Sequence, residues 1–136
     1  MASIHREILI QAPAAQLWDA MRDVGALHTR LVPGFVTRCE MDGTDARKLR
    51  FANGVEAREV IVTVDHPARR LVWTAAGARL THHNASAQVF DAGEGRCRVV
   101  WIADLLPDAM APGIAGMIEA GLAAMRDHAE KLATPG

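Results

Sequence analysis

RKLRFANGVEAREVIVTV, residues Arg47 to Val64, reads as two strands joined by a tight turn. Asn53 and Gly54 both tolerate positive φ, and that pair between two extended runs is the strongest short hairpin signal in the chain. Similar punctuation recurs on both sides. Residues 35–41 run into Asp42-Gly43, and residues 47–52 and 55–64 flank Asn53-Gly54. Asp65-His66-Pro67 turns the chain into residues 69–75, Gly77 precedes residues 80–90, and Gly93-Glu94-Gly95 precedes residues 96–104. Between Val36 and Asp104 this gives six strand-like segments in succession. Consecutive hairpins make a meander, and a meander is antiparallel.

Helical patterns stand only outside that run. A first strand, residues 3–10, carries Ile4, Ile8 and Ile10 at even spacing. Pro13 then takes a first helical position, where its missing N–H costs nothing. Leu17, Trp18 and Met21 fall on one stripe of that helix. Gly25 interrupts, a short second helix carries Leu27 and Leu31, and Pro33-Gly34 ends it. The last helix, residues 112–132, has an apolar side of Ile114, Met117, Ile118, Gly121, Leu122, Met125, Ala129 and Leu132. One strand, a helical pair, six strands and a long helix predict a single α+β domain over residues 1–136. Its seven-stranded antiparallel sheet curls around the C-terminal helix. Gly116, Gly121 and many alanines sit on that helix, and the chain has three Phe, three Trp and no Tyr. Few bulky groups are available to fill the space inside the curl. Small residues there either let backbones approach or leave room for a guest, and an internal ligand cavity is the expectation.

The bulk numbers bound the function. Length alone suits one domain with a core of its own. Net charge is −1 and the isoelectric point is about 6.6, which argues against a phosphate-tracking surface and so against nucleic acid. The arginines Arg47 and Arg50, Arg69 and Arg70, Arg96 and Arg98 sit beside expected turns and read as solvated hairpin ends. Cys39 and Cys97 are isolated thiols on separate strands, which suits a reducing, cytoplasmic setting. No charged-then-apolar leader and no apolar run near membrane length occurs, so no integral membrane association is expected. Residues 134–136 read as a frayed end. His82 and His83 are neighbours on a strand and point apart, so they cannot share a metal ion. No dinucleotide, phosphate-loop, nucleophile-elbow or zinc-helix motif occurs, and no cofactor is expected.

Ile8-Leu9-Ile10-Gln11-Ala12-Pro13 running into Leu17-Trp18 resembles the START-like, helix-grip (SRPBCC) superfamily. So does the stretch from Arg58-Glu59-Val60 to Arg70-Leu71-Val72-Trp73. His82-His83-Asn84-Ala85-Ser86 and Val100-Trp101-Ile102-Ala103-Asp104-Leu105-Leu106-Pro107 are most similar to the polyketide cyclase/dehydrase and lipid-transport-like bacterial branch. The resemblance implies a cavity between the concave sheet face and the last helix, capped by the helical pair. It implies Glu59, Trp73, His83 and Trp101 as cavity-facing positions. Met117, Gly121 and Met125 from the last helix complete the candidate ligand contacts. No cyclase catalytic set carries across, so catalytic residues stay open, with His83 and Glu59 as candidates.

Strand parity weighs these candidates. Within residues 80–90, His83, Ala85, Ala87 and Val89 share one face, and His82, Asn84, Ser86 and Gln88 share the other. The second set is wholly polar and belongs to solvent. His83 then stands on the apolar face among alanines, either as a ligand contact and proton carrier or as a bonded core histidine. Glu59 is ambiguous. Val60, Val62 and Val64 are the more apolar set on its strand, so hydropathy turns Glu59 outward while the resemblance turns it inward. Trp73 and Trp101 offer flat walls, Trp18 a core anchor, Asp104 a turn or cap, and His28 and Arg30 a gate or a solvated loop. Three functions are open: carriage of a small hydrophobic or aromatic, polyketide- or lipid-like molecule; cyclase, dehydratase or isomerase chemistry through His83; and a ligand-free interaction module.

Parity alone generates a test. His83→Ala should weaken binding of a carbonyl- or hydroxyl-bearing ligand by about 0.5–1.5 kcal/mol, the worth of one neutral hydrogen bond. His82→Ala should change nothing. Calorimetric titration of both variants decides; a loss confined to His82→Ala means the strand is out of register by one residue.

Overall fold

The computed structural model describes residues 1–77 and 79–134. The strand Ala2–Ile10 (β1) pairs antiparallel with the strand Cys97–Leu106 (β7), which adds the first strand to the last strand of the meander. Between them lie β2 (Val36–Met41), β3 (Ala46–Phe51), β4 (Glu56–Asp65), β5 (Arg70–Ala76) and β6 (His82–Asp91). The spatial order is β1-β7-β6-β5-β4-β3-β2, one antiparallel seven-stranded sheet. The helices are α1 (Ala14–Met21), a π-helix at Leu27–Leu31, a 3-10 turn at Asp108–Met110 and α2 (Ala111–Ala133). This is the α+β helix-grip arrangement that the order of patterns predicted. Every strand boundary falls within two residues of its expected place. The expected frayed end lies, beyond Thr134, outside the described residues.

Register shows which side chains share the concave face. Ile61, Trp73, Ala85, Ala103 and Ile4 stand on one level across β4, β5, β6, β7 and β1. Val64, Leu71, Ala87 and Trp101 stand on the next. Most of these side chains are buried, and with Ile10, Leu17, Met21 and Met125 they form the core. The parity assigned to β6 holds: Ala85, Ala87 and Val89 are buried while His82 is exposed. Asp104 is not a cap. Strand β7 runs past it to Leu106, and Asp104 sits on the outer face between Ser3 and Asn84.

The conflict over Glu59 has a local cause. Ile61 pairs with Trp73 and Thr63 with Val72, so Val62 is the extra residue of a β-bulge. A bulge shifts which alternate residues face inward. Ahead of it Ala57, Glu59 and Ile61 face the concavity; after it Val64 does. Val62 itself is 57% exposed, and Glu59 only 8%. Averaging hydropathy across the bulge pointed Glu59 the wrong way.

Helix α2 comes close to the Trp101 side chain of β7 at Gly121. A Cβ there would lie 3.0 Å from Cζ3 of Trp101 and 3.2 Å from Cε2 of Phe35. Gly121 therefore serves close approach, whereas nothing lies near a Cβ added at the exposed Gly116. The two glycines should respond oppositely. Gly121→Val should destabilise by about 1–3 kcal/mol through overpacking. Gly116→Ala should stabilise by roughly 0.5–1 kcal/mol through helix propensity. Urea unfolding of both variants checks this, and a stabilised Gly121→Val would contradict the contact.

A candidate ligand-binding cavity

A cavity of about 400 Å³ lies between the concave face, α2 and the π-helix. Its walls are mostly apolar: Leu31, Phe35, Leu49, Leu71, Ile114 and Ile118 among others. Its exposed lining residues are Asn53, Glu56, Ala76, Gly77, Ala109 and Gly113, which come from the β3–β4 turn and the start of β4, the end of β5 and the approach to and first turn of α2. The mouth is therefore at that end of the molecule. The opposite end is filled by α1 and the buried Ile10, Cys97 and Val99.

One polar level crosses this apolar face. Arg47 on β3 is in register with Glu59 on β4, and Glu59 with Ala75 on β5. The β5–β6 ladder stops at Trp73–Ala85, and two residues further along each strand Ala75 and His83 stand at the same level. Arg47 donates from Nε to Oε1 of Glu59 at 2.9 Å, and its Nη2 lies 2.7 Å from the same oxygen. The guanidinium also donates from Nη1 to the carbonyl of Val24 at 3.1 Å. Both side chains are almost fully buried, Arg47 at 3% and Glu59 at 10% exposure. Glu59 Oε2 accepts no hydrogen bond among the described residues.

Arg47 corrects the reading of the turn arginines. Arg50 is exposed and pairs with Glu56, as a hairpin-end arginine should, but Arg47 is buried. Strand β3 begins at Ala46, so Arg47 lies inside it and shares the inward parity of the cavity-lining Leu49 and Phe51. That alternation was the available signal. It was masked because a basic residue near a turn is usually solvated.

The other candidates divide. His83, Glu59, Trp73, Trp101, Met117 and Met125 line the cavity, and Gly121 does not. Trp73 and Trp101 meet edge to face at 5.6 Å. Trp101 Nε1 is buried without a partner among the described residues. Trp18 is buried and meets His66 edge to face at 5.8 Å. Arg30 ties the π-helix to α1 through Asp19, 2.6 Å away, and Asp23, at 3.0 Å, which makes it a brace within the lid. His28 Nδ1 is buried with no partner among the described residues. The thiols are packed groups: Cys39 is raised above its ordinary value by burial, and burial pushes Cys97 up to about 11.

His83 turns Nδ1 into the protein, where it is buried and finds no partner among the described residues. Nε2 is the ring nitrogen left for the cavity. Burial lowers the His83 pKa below the ordinary histidine value, and the nearby charge of Glu59 opposes that shift. The imidazole is thus neutral near pH 7 and can accept a proton or a hydrogen bond. A depressed pKa also links to stability. The His83 contribution is fully present above the unfolded value, about 6.5, and is lost as pH falls from there through the folded value. Imidazole resonances followed by NMR should show His83 titrating below the ordinary histidine value of about 6.5. Glu59→Gln should move it lower still, and an unchanged titration would mean that the two groups are too far apart to interact.

Comparison with known proteins agrees with this architecture. The di-domain ARO/CYC BexL superposes with a TM-score of 0.83 at 17% identity, over 99% of this chain and 48% of that one. A START superfamily protein from Mycobacterium smegmatis gives 0.78 at 14% identity, over 96% and 98%. Norcoclaurine synthase from Thalictrum flavum, in complex with dopamine and hydroxybenzaldehyde, gives 0.70 at 24% identity, over 96% and 85%. At these identities the likeness carries the fold alone. No curated protein matches the sequence significantly. The family model described as polyketide cyclase / dehydrase and lipid transport matches residues 1–130, and the chain belongs to that family.

Proposed function

We propose that this protein binds a small hydrophobic or aromatic molecule inside the cavity between its sheet and α2. The observation that carries the reading is an apolar cavity of about 400 Å³ crossed by one polar level. Sites for small molecules are usually built this way, with apolar walls and a few placed polar groups that set orientation. His83, Glu59, Trp73, Trp101, Met117 and Met125 are the contacts, with the tryptophans as aromatic walls. Gly121 acts from behind, by holding α2 against Trp101. The outer sheet face supplies no comparable feature, so a ligand-free interaction role has less support.

The same polar level favours a second reading. Glu59 and His83 stand on either side of Ala75, two strands apart, and a neutral imidazole and a carboxylate facing one cavity are suited to moving protons on a molecule bound between them. Cyclase-, dehydratase- or isomerase-like chemistry on a bound carbonyl compound would use His83 as base and Glu59 as its partner.

Plugging the mouth tests the location. Ala57 lines the cavity near its opening and is only half-buried. The wild-type chain should bind an apolar naphthylamine fluorophore saturably and quench its own tryptophan emission. Ala57→Phe should weaken that binding at least about tenfold, or ~1.4 kcal/mol, with the melting temperature nearly unchanged. Unaltered affinity in the plugged variant would put the probe elsewhere. Recovery of a bound hydroxyketone unchanged after long incubation would favour carriage, and its dehydration or rearrangement would favour chemistry.

A further inference from the structure

The π-helix and α2 close over the concave side of the sheet, which leaves the outer face uncovered among the described residues. Alternate residues of β7 stand on that outer face in the order Arg98, Val100, Ile102, Asp104. Register carries the rows across the sheet. Thr63, Val72, Ser86, Ile102 and His5 make one row, and Arg70, Gln88, Val100 and Glu7 the next. Ile102 is 36% exposed, and the bulge residue Val62 beside its row is 57% exposed. Two opposite charges bracket the β7 strip. Arg98 stacks on Phe90 at 5.4 Å and has no acidic partner among the described residues. Asp104 lies between Ser3 and Asn84 and has no basic partner among them. The two charges stand roughly 20 Å apart at 3.3–3.4 Å per residue. From either end the strip has a charge, two aliphatic side chains and the opposite charge.

We propose that two copies of this chain associate back to back through this face, about a two-fold axis that crosses β7 at Trp101. An interface of that symmetry uses one patch twice, so the patch must be complementary to itself. Here it is. The axis lays Arg98 of one copy over Asp104 of the other, twice, and Val100 over Ile102. Trp101 pairs with Arg6, so on β1 the same axis lays His5 over Glu7. Trp101 also pairs with Ala87, so on β6 it lays Phe90 over Asn84 and Ser86 over Gln88. On β5 Arg70 covers Val72 with its methylene stem. Like charges oppose each other on none of these strands. Packed sheets stand about 10 Å apart, a gap that an arginine and an aspartate bridge between them. An unrelated partner would not require the strip to match its own reversal. The cavity belongs to the concave side, so each copy keeps its own mouth open in the pair.

Sedimentation equilibrium of the full chain tests this. The footprint of a few short strands is smaller than that of a stable complex, so the dissociation constant should be roughly 10–100 μM. Between about 0.02 and 1 mM the mass should rise from 14.7 kDa toward twice that value. Arg98→Glu sets two carboxylates against each other at both contacts, and Asp104→Arg sets two guanidinium groups. Each single reversal should raise the dissociation constant at least about tenfold. An equimolar mixture of the two variants should pair again, because every contact then joins opposite charges. The chain carrying both substitutions should self-associate much as the wild type does. Both side chains stand on the outer face, so melting followed by circular dichroism should be nearly unchanged in all variants, which keeps loss of pairing distinct from loss of fold. A wild-type chain that stays at 14.7 kDa up to about 1 mM overturns the inference. A dimer that survives either single reversal also overturns it, since the contact then lies on another surface. So does a mixture and a doubly substituted chain that both remain monomeric.

Discussion

A guanidinium and a carboxylate face each other inside an otherwise apolar concavity, and much of the site depends on that pair. Burying two charges costs several kcal/mol each, and their attraction repays this only when geometry and further hydrogen bonds are good. Here Arg47 meets Glu59 through two nitrogens and uses the third on the Val24 carbonyl. That third bond matters for architecture. Val24 lies between α1 and the π-helix, so the same arginine that fixes Glu59 also ties that helical segment to β3, beside the β2 edge of the sheet. Cys39 and Met41 crowd the same junction, with Met41 against Gly25. Losing one partner would leave an uncompensated charge, at roughly 3–5 kcal/mol. By contrast, the surface pairs such as Arg38–Glu40 and Arg58–Asp42 are exposed, and solvent screens them so that each contributes little.

The cavity exists because the concave face is furnished with small residues on the strands that α2 covers least. Ala57, Ala75 and Ala87 line it, and the bulkier groups are drawn toward the walls. Where α2 does reach the sheet, Gly121 lets Trp101 come in under the helix, and the two tryptophans then brace each other edge to face. Emptiness at one level and close approach at another are set by the same kind of residue. What distinguishes them is whether a large neighbour fills the space that the missing side chain leaves.

The hairpins, the helix order and the parity of β6 were all legible in the chain, because each rests on local chemistry: Asn53-Gly54 at a turn, alternation around His83, a long apolar stripe from Ile114 to Ala129. Two features were not. Glu59 could not be oriented because the bulge at Val62 shifts the inward set partway along β4, and nothing in the hydropathy of a valine run marks where that happens. Arg47 was read as a solvated end because strand boundaries are uncertain by a residue or two, and one residue decides whether an arginine near a turn lies inside the ladder. The two errors are linked. Each residue looks misplaced alone, and only together do they make a buried pair. Gly121 shows a different limit, since sequence tells that space is left beside a helix but not whether a ligand or an indole takes it.

The ladder between β5 and β6 ends after four rungs, at Trp73–Ala85, although both strands continue beyond it. From there toward Gly77 the sheet is a seam parted at one end. On the far side of that seam, β6, β7 and β1 are paired along almost their whole length, and β1 and β7 lie against α2. On the near side, β2 to β5 meet β6 through those four rungs and through Val89 N–H and the Gln88 side chain, which donate to the carbonyls of Arg69 and Ala68. The polar level straddles this parting, with Arg47 and Glu59 on one side and His83 on the other, so its two sides are carried by strands that share no backbone ladder at that height.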